Sequence, residues 1–129
     1  MAFLALYDAC VLYPAPVRDL LLEVAHADLV GARWTSKIEE EWVSNLLKQR
    51  NDIPPPVLER TVELMRQAVP DALVRHYEPF IPSLELPDPD DRHVLAAAIK
   101  CGAQVIVTFN IKDFPRQELD KYDIEAERP

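Results

Sequence analysis

The chain has 129 residues, 49% of them apolar and 28% charged, enough for one globular domain with a real core. Its formal net charge of −8 excludes a general nucleic-acid-coating surface, which needs a basic face. The same charge admits an enzyme that meets phosphate through bound cations, and it favours docking of a basic partner segment. Gly31 and Gly102 are the two glycines, so neither a G-x-G-x-x-G loop nor a P-loop is present.

No apolar run reaches the ~20 residues of a membrane span. The stretch Met1–Asp8 lacks a basic region and is broken by Asp8 before a signal core could form. A cytoplasmic protein with no membrane partner is expected. Cys10 and Cys101 then read as buried free thiols. His26, His76 and His93 show no metal-ligand spacing and read as structural or surface residues.

Residues 3–7 are continuously apolar and end in Asp8, as in a buried parallel strand. Leu12–Pro16 reads as a turn. Val17, Leu20, Leu21, Val24 and Ala25 then repeat with helical period. Leu29–Trp34 reads as a second strand, and Thr35 or Ser36 with Glu39 forms a capping-box start for a helix. Ile38, Trp42 and Leu46 mark the inner stripe of that helix. Glu41 borders the stripe, while Glu39 and Glu40 point outward.

Asn51–Pro56 ends this helix, and another is predicted over Val57–Val69, with Leu58, Val62, Met65 and Val69 on one face. Residues 71–86 carry no clear period; Tyr77, Phe80, Ile81 and Leu84 suit a cover over one end of a sheet. Pro87–Asp91 forms an acidic loop that two prolines keep out of a helix. A helix starts at Asp90 or Asp91 and runs through Val94–Ile99 to Gly102, a natural C′ residue. Gln104–Phe109 is the clearest strand. A short helix near 116–121 and a strand near Tyr122–Ala126 follow. Strands alternating with helices imply a mostly parallel sheet covered on both faces. The residues compose a single domain over 1–129. A final strand without its covering helix points to a native chain that continues, or to truncation at the C-terminus.

In open parallel sheets, sites form beyond the carboxyl ends of the strands. Asp8, Asn110 and Asp113 lie there, and the acidic loop can bring Asp88, Asp90 and Asp91 to the same edge. Each acid alone has an ordinary account as cap, turn residue or solvated charge. Asp90 is the acid assigned to capping. Together, carboxylates without a compensating basic cluster suit a hard divalent ion such as Mg2+ or Mn2+.

Four features in order carry a resemblance. They are the apolar strand ending in Asp8, the Ser36-x-x-x-x-Glu41 helix, Asp91-x-x-Val-Leu-Ala-x-Ala, and Val107-Thr108-x-Asn110-x-x-Asp113-Phe114. The pattern resembles PIN-domain ribonucleases, most closely the VapC-type toxin branch. It runs along nearly the whole chain and is weakest over residues 50–85. The resemblance implies a three-layer α/β/α sandwich with a central, mostly parallel sheet, and Mg2+- or Mn2+-dependent hydrolysis of RNA. It implies Asp8, Glu41, Asp91 and Asp113 as catalytic acids, with Glu40 as a register alternative to Glu41. Asn110 joins them as a metal ligand, although many members have an acid there. Asp88 and Thr108 would support the site, and Arg92 and Lys112 would meet the RNA backbone. A small antitoxin protein and a homodimer are the implied partners.

Other readings compete. Haloacid-dehalogenase-type enzymes need Asp-x-Asp where this chain has Asp8-Ala9-Cys10. Response-regulator receivers need an adjacent acidic pair near the first strand. An EF-hand lacks its Gly and terminal Glu around Asp88–Asp91. The rival from another class is a catalytically inactive PIN-like module for binding or assembly, which Asn110 and the acidic net charge favour.

Overall fold

The computed structural model describes residues 3–129. At its centre is strand β1 (Leu4–Tyr7), whose Ala5, Leu6 and Tyr7 are almost fully buried. Only a strand covered on both faces buries consecutive residues in this way, because successive side chains point to opposite sides. Strands β2 (Gly31–Arg33), β3 (Val105–Val107) and β4 (Glu125–Glu127) complete a four-stranded sheet in the order β2-β1-β3-β4. All three pairings are parallel. The expected α/β sandwich is the one observed.

Among the described residues, six α-helices accompany the sheet: α1 (Ala9–Leu12), α2 (Ala15–His26), α3 (Ser36–Gln49), α4 (Pro55–Ala68), α5 (Arg92–Cys101) and α6 (Arg116–Leu119). Helix α5 is buried nearly all round. Val94 to Ala98 lose all their exposure between the sheet and the 3-10 segment Glu78–Ser83. The three successive alanines allow this close approach, since an added methylene there would overpack the core. Gly102 closes α5 in the left-handed region at φ 73°, as its place in the sequence predicts.

Several expectations change. The turn placed at Leu12–Pro16 is preceded by the one-turn helix α1, too short to leave a periodic signal. Leu20 lies on the exposed side of α2, and Arg18 takes the inner position. The Arg18 guanidinium donates to the carbonyls of Leu12 (2.8 Å) and Tyr13 (3.2 Å) and stacks 4.7 Å from the Trp42 ring centre. Its long apolar stem makes that burial tolerable. Glu39 does not point outward. Its carboxylate is buried, accepts from Trp34 Nε1 at 3.0 Å, and is gripped by both arms of the Arg66 fork, tying α3 to α4. The cap at Thr35 forms through Ile38 N–H alone, at 3.0 Å.

Residues 71–86 are partly ordered by pairing: Leu73 forms a parallel bridge with Trp34 just beyond β2. Cys10 and Cys101 are free thiols, half-buried rather than buried. Among the described residues, no helix is long and apolar enough to cross a membrane.

Candidate active site

The register of β1 and β3 pairs Tyr7 with Val107. The next residue of each strand, Asp8 and Thr108, therefore stands side by side at the carboxyl edge. Asp8 N–H donates to Val107 O at 3.0 Å, and Thr108 Oγ1 donates to Asp8 Oδ2 at 2.9 Å. Ala9 N–H donates to Asp8 Oδ1 at 2.8 Å, so the same carboxylate caps α1. Thr108 Oγ1 in turn accepts Asn110 N–H at 3.1 Å. Burial pushes the Asp8 carboxyl above its usual range, and the Thr108 and Ala9 hydrogen bonds oppose that rise.

Asp91 reaches this edge for a topological reason. Helix α5 leads into β3 through the tight turn at Gly102, so it runs antiparallel to the sheet and its N-terminus returns to the carboxyl edge. Asp88, not Asp90, does the capping: its Oδ1 accepts Asp90 N–H at 2.9 Å in the 3-10 turn Pro89–Asp91. The helix begins at Arg92, one or two residues after the expected Asp90 or Asp91. Asp91 occupies its N-cap position without making a side-chain cap bond. Burial, then the charges of Asp8, Asp88 and Asp113, push the Asp91 carboxyl up to about 6.

Glu41 comes from the second turn of α3, which Thr35 starts just beyond the end of β2. Its Oε2 lies 3.2 Å from His93 Nε2. An ionised carboxylate only accepts, so Nε2 is assigned the proton. His93 is buried rather than a surface residue, and its Nδ1 has no partner among the described residues.

Asp8, Glu41, Asp91 and Asn110 share a cleft of about 460 Å³. A family profile for the PIN domain matches residues 5–112. The chain belongs to the PIN-domain family. Over 39 residues it is also 56% identical to the Mycobacterium tuberculosis protein named "Putative ribonuclease VapC50", a match covering 30% of this chain and 23% of that protein. The match thus spans about a quarter of the curated relative's length. No solved structure matches.

Within this PIN domain the other expected site residues are dispersed. Asp113 is half-buried in the turn Ile111–Asp113, off the cleft wall but near enough to act on Asp91. Arg92 folds back, its Nε donating to Pro89 O at 3.1 Å. Lys112 lines a separate cavity with Phe114 and Arg116. Glu40 is exposed and does not line the carboxylate cleft.

The sequence reading missed Cys10, whose Sγ lies 3.3 Å from Thr108 Oγ1 and 3.7 Å from Asp8 Oδ2. Burial and the Asp8 charge push its thiol up, away from a reactive thiolate. It also missed Tyr13, Asn45, Lys48 and Gln49, which form the rest of the wall. Their signal was present: positions 41, 45 and 48 share one helical face.

The donors present are hard oxygens suited to Mg2+ or Mn2+. Beyond the effect of burial, the repulsion from Asp8, Asp88 and Asp113 that helps raise the Asp91 carboxyl is what a bound cation would relieve. Among the described residues, no three His, Cys, Asp or Glu side chains are gathered tightly enough to hold an ion as they stand. The carboxylates line the cleft walls without closing on one point.

Proposed function

We propose that this PIN-domain protein is a divalent-metal-dependent ribonuclease that hydrolyses RNA phosphodiester bonds. The observation that carries the reading is the gathering of Asp8, Glu41 and Asp91 in one cleft, where burial first and then repulsion from Asp8, Asp88 and Asp113 lift Asp91 to about 6. Folding gains nothing from such repulsion, and a cation-dependent reaction does.

Asp8, Asp91 and Asn110 would hold Mg2+ or Mn2+, with Asp113, close enough to act on Asp91, completing the shell and Glu41 lining the same cleft. Such an ion, when bound, lowers the pKa of a coordinated water and offsets charge developing on the phosphoryl oxygens. Asp8 keeps one orientation because Thr108 and Ala9 each occupy one of its oxygens. Glu41, held by His93, accepts the proton of the attacking water. The P–O bond to the leaving nucleotide breaks as the new P–O bond forms, and the leaving oxygen takes up a proton. Asp88 fixes the turn that presents Asp91.

Asp8→Asn and Asp91→Asn are expected to abolish cleavage of single-stranded RNA while keeping the wild-type circular dichroism spectrum. EDTA abolishes wild-type cleavage and excess Mn2+ restores it. Full activity in either variant refutes the reading.

The resemblance to VapC-type toxins extends the proposal to a toxin role, with a small antitoxin whose basic segment covers the acidic cleft. Co-purification of such a partner, with loss of cleavage, tests it. A second reading, an inactive PIN module, is favoured by Asn110, which brings no charge to the cleft. Absence of any thermal stabilisation by millimolar Mn2+ would support that reading.

A further inference from the structure

The cleft that holds Asp8, Glu41 and Asp91 is also lined by Tyr13, just past the end of α1, and by Asn45, Lys48 and Gln49 on the later turns of α3. Lys48 follows Glu41 by seven residues on the same helix, about 10 Å along its axis. The charge and the aromatic ring thus lie beside the proposed reaction centre, at a distance suited to a neighbouring part of the same substrate.

Among the described residues no arginine lines the cleft, and the arginines on the surrounding elements are already engaged. Arg50 is held bidentately by Asp52, at 3.0 and 2.9 Å, and Arg92 by Pro89 O. Arg66 is locked on Glu39, and Arg18 is buried against Trp42. Lys48 is exposed and forms no ion pair among the described residues. Beside it stand two exposed amides, Asn45 and Gln49, and the half-buried ring of Tyr13.

We propose that Tyr13, Asn45, Lys48 and Gln49 form a nucleotide subsite that seats single-stranded RNA next to the scissile bond. The inference rests on the ribonuclease reading and adds a substrate-holding wall to it. Lys48 meets a phosphate one step from the reacting one, and its charge offsets the repulsion that a chain of net charge −8 presents to RNA. Tyr13 offers a face on which a base stacks, and the two amides offer donors and acceptors to base edges. A single unpaired lysine among neutral hydrogen-bonding groups suits one phosphate and one base. It does not suit a duplex, which would need a broad basic surface.

The test uses the full chain with saturating Mn2+ and a fluorescein-labelled single-stranded RNA oligomer. Anisotropy gives Kd, steady-state cleavage gives KM and kcat, and calorimetry without RNA gives Mn2+ affinity. Lys48→Ala is expected to raise Kd and KM at least fivefold, with kcat and Mn2+ affinity unchanged. The slope of log Kd against log salt falls by about 0.7, the share of one single-strand phosphate contact. Lys48→Arg restores most of the binding. Tyr13→Ala weakens binding by about fivefold or more, and Tyr13→Phe does not, because stacking needs the ring and not the hydroxyl. Unchanged Kd and salt slope in Lys48→Ala overturn the subsite. Wild-type RNA binding without cleavage would sink the ribonuclease reading alone, since the anisotropy arm does not depend on turnover.

Discussion

Asp91 shows how a single residue can be costly to the fold and useful to the site. Its carboxyl titrates near 6 in the folded chain, against an ordinary value near 3.8. The folded state therefore holds the proton more tightly than the unfolded one between these values. Stability of the metal-free protein falls as pH rises through that window, and the penalty is fully present above about 6. Asp91→Asn removes the penalty. The variant is expected to melt above the wild type at pH 7 in EDTA, with the gap closing toward pH 4; an unchanged gap across this range would count against the raised carboxyl. His93 is the second informative residue. Its imidazole holds Glu41 from a buried position, so His93→Ala is expected to weaken Mn2+ binding about tenfold or more, as loss of a supporting hydrogen bond typically does. His93→Gln keeps an N–H donor and retains most of the affinity. Calorimetry reads both, and wild-type affinity in the alanine variant would assign His93 a packing role only.

At the scale of elements, the run Glu39-Glu40-Glu41 divides among three environments within one turn of α3. Glu39 faces inward to Trp34 and Arg66, Glu40 faces solvent, and Glu41 faces the cleft. A helical wheel places Glu41 at the border of the apolar stripe, and in the fold it lines the cleft. The same wheel sends Glu39 outward, because its two partners come from β2's end and from α4, 27 residues away. Strands β1 and β3 and the α5 stop at Gly102 were legible because burial and backbone geometry act locally there. Helix α1 and the order in residues 71–86 were not, since each depends on contacts made across the fold. Asp88 and Asp90 were exchanged for a related reason: the sequence shows acids before a helix but not which one turns back to cap. Removing Arg66 leaves the Glu39 carboxylate buried with the Trp34 N–H as its remaining partner. Arg66→Ala is expected to cost about 1–3 kcal/mol in urea unfolding, less than the 3–5 kcal/mol of a fully enclosed pair, because Arg66 is half exposed. Cleavage per folded molecule should stay at the wild-type level, since this pair faces away from the cleft.

Across the whole molecule, the negative charge sets the terms on which the proposed RNA substrate would approach. A chain of net charge −8 repels a polyanion at long range. The association rate with single-stranded RNA, measured by stopped flow, is expected to rise between about 0.01 M salt, where charges are felt over about 30 Å, and about 0.15 M, where the range is about 8 Å. A steep fall over that interval would instead indicate basic steering. The acidic centre also has an order of assembly built into it. Asp8 and Thr108, bonded to one another, are 100 positions apart in the chain. Central strand β1 leaves a synthesising ribosome well before its neighbour β3. At about 5–20 residues per second, the first acid waits several seconds for the partner that orients it. A nascent chain halted before β3 lacks Thr108 and Asn110 altogether. The chemistry proposed for this cleft is therefore withheld until β3 has been made and has paired with β1.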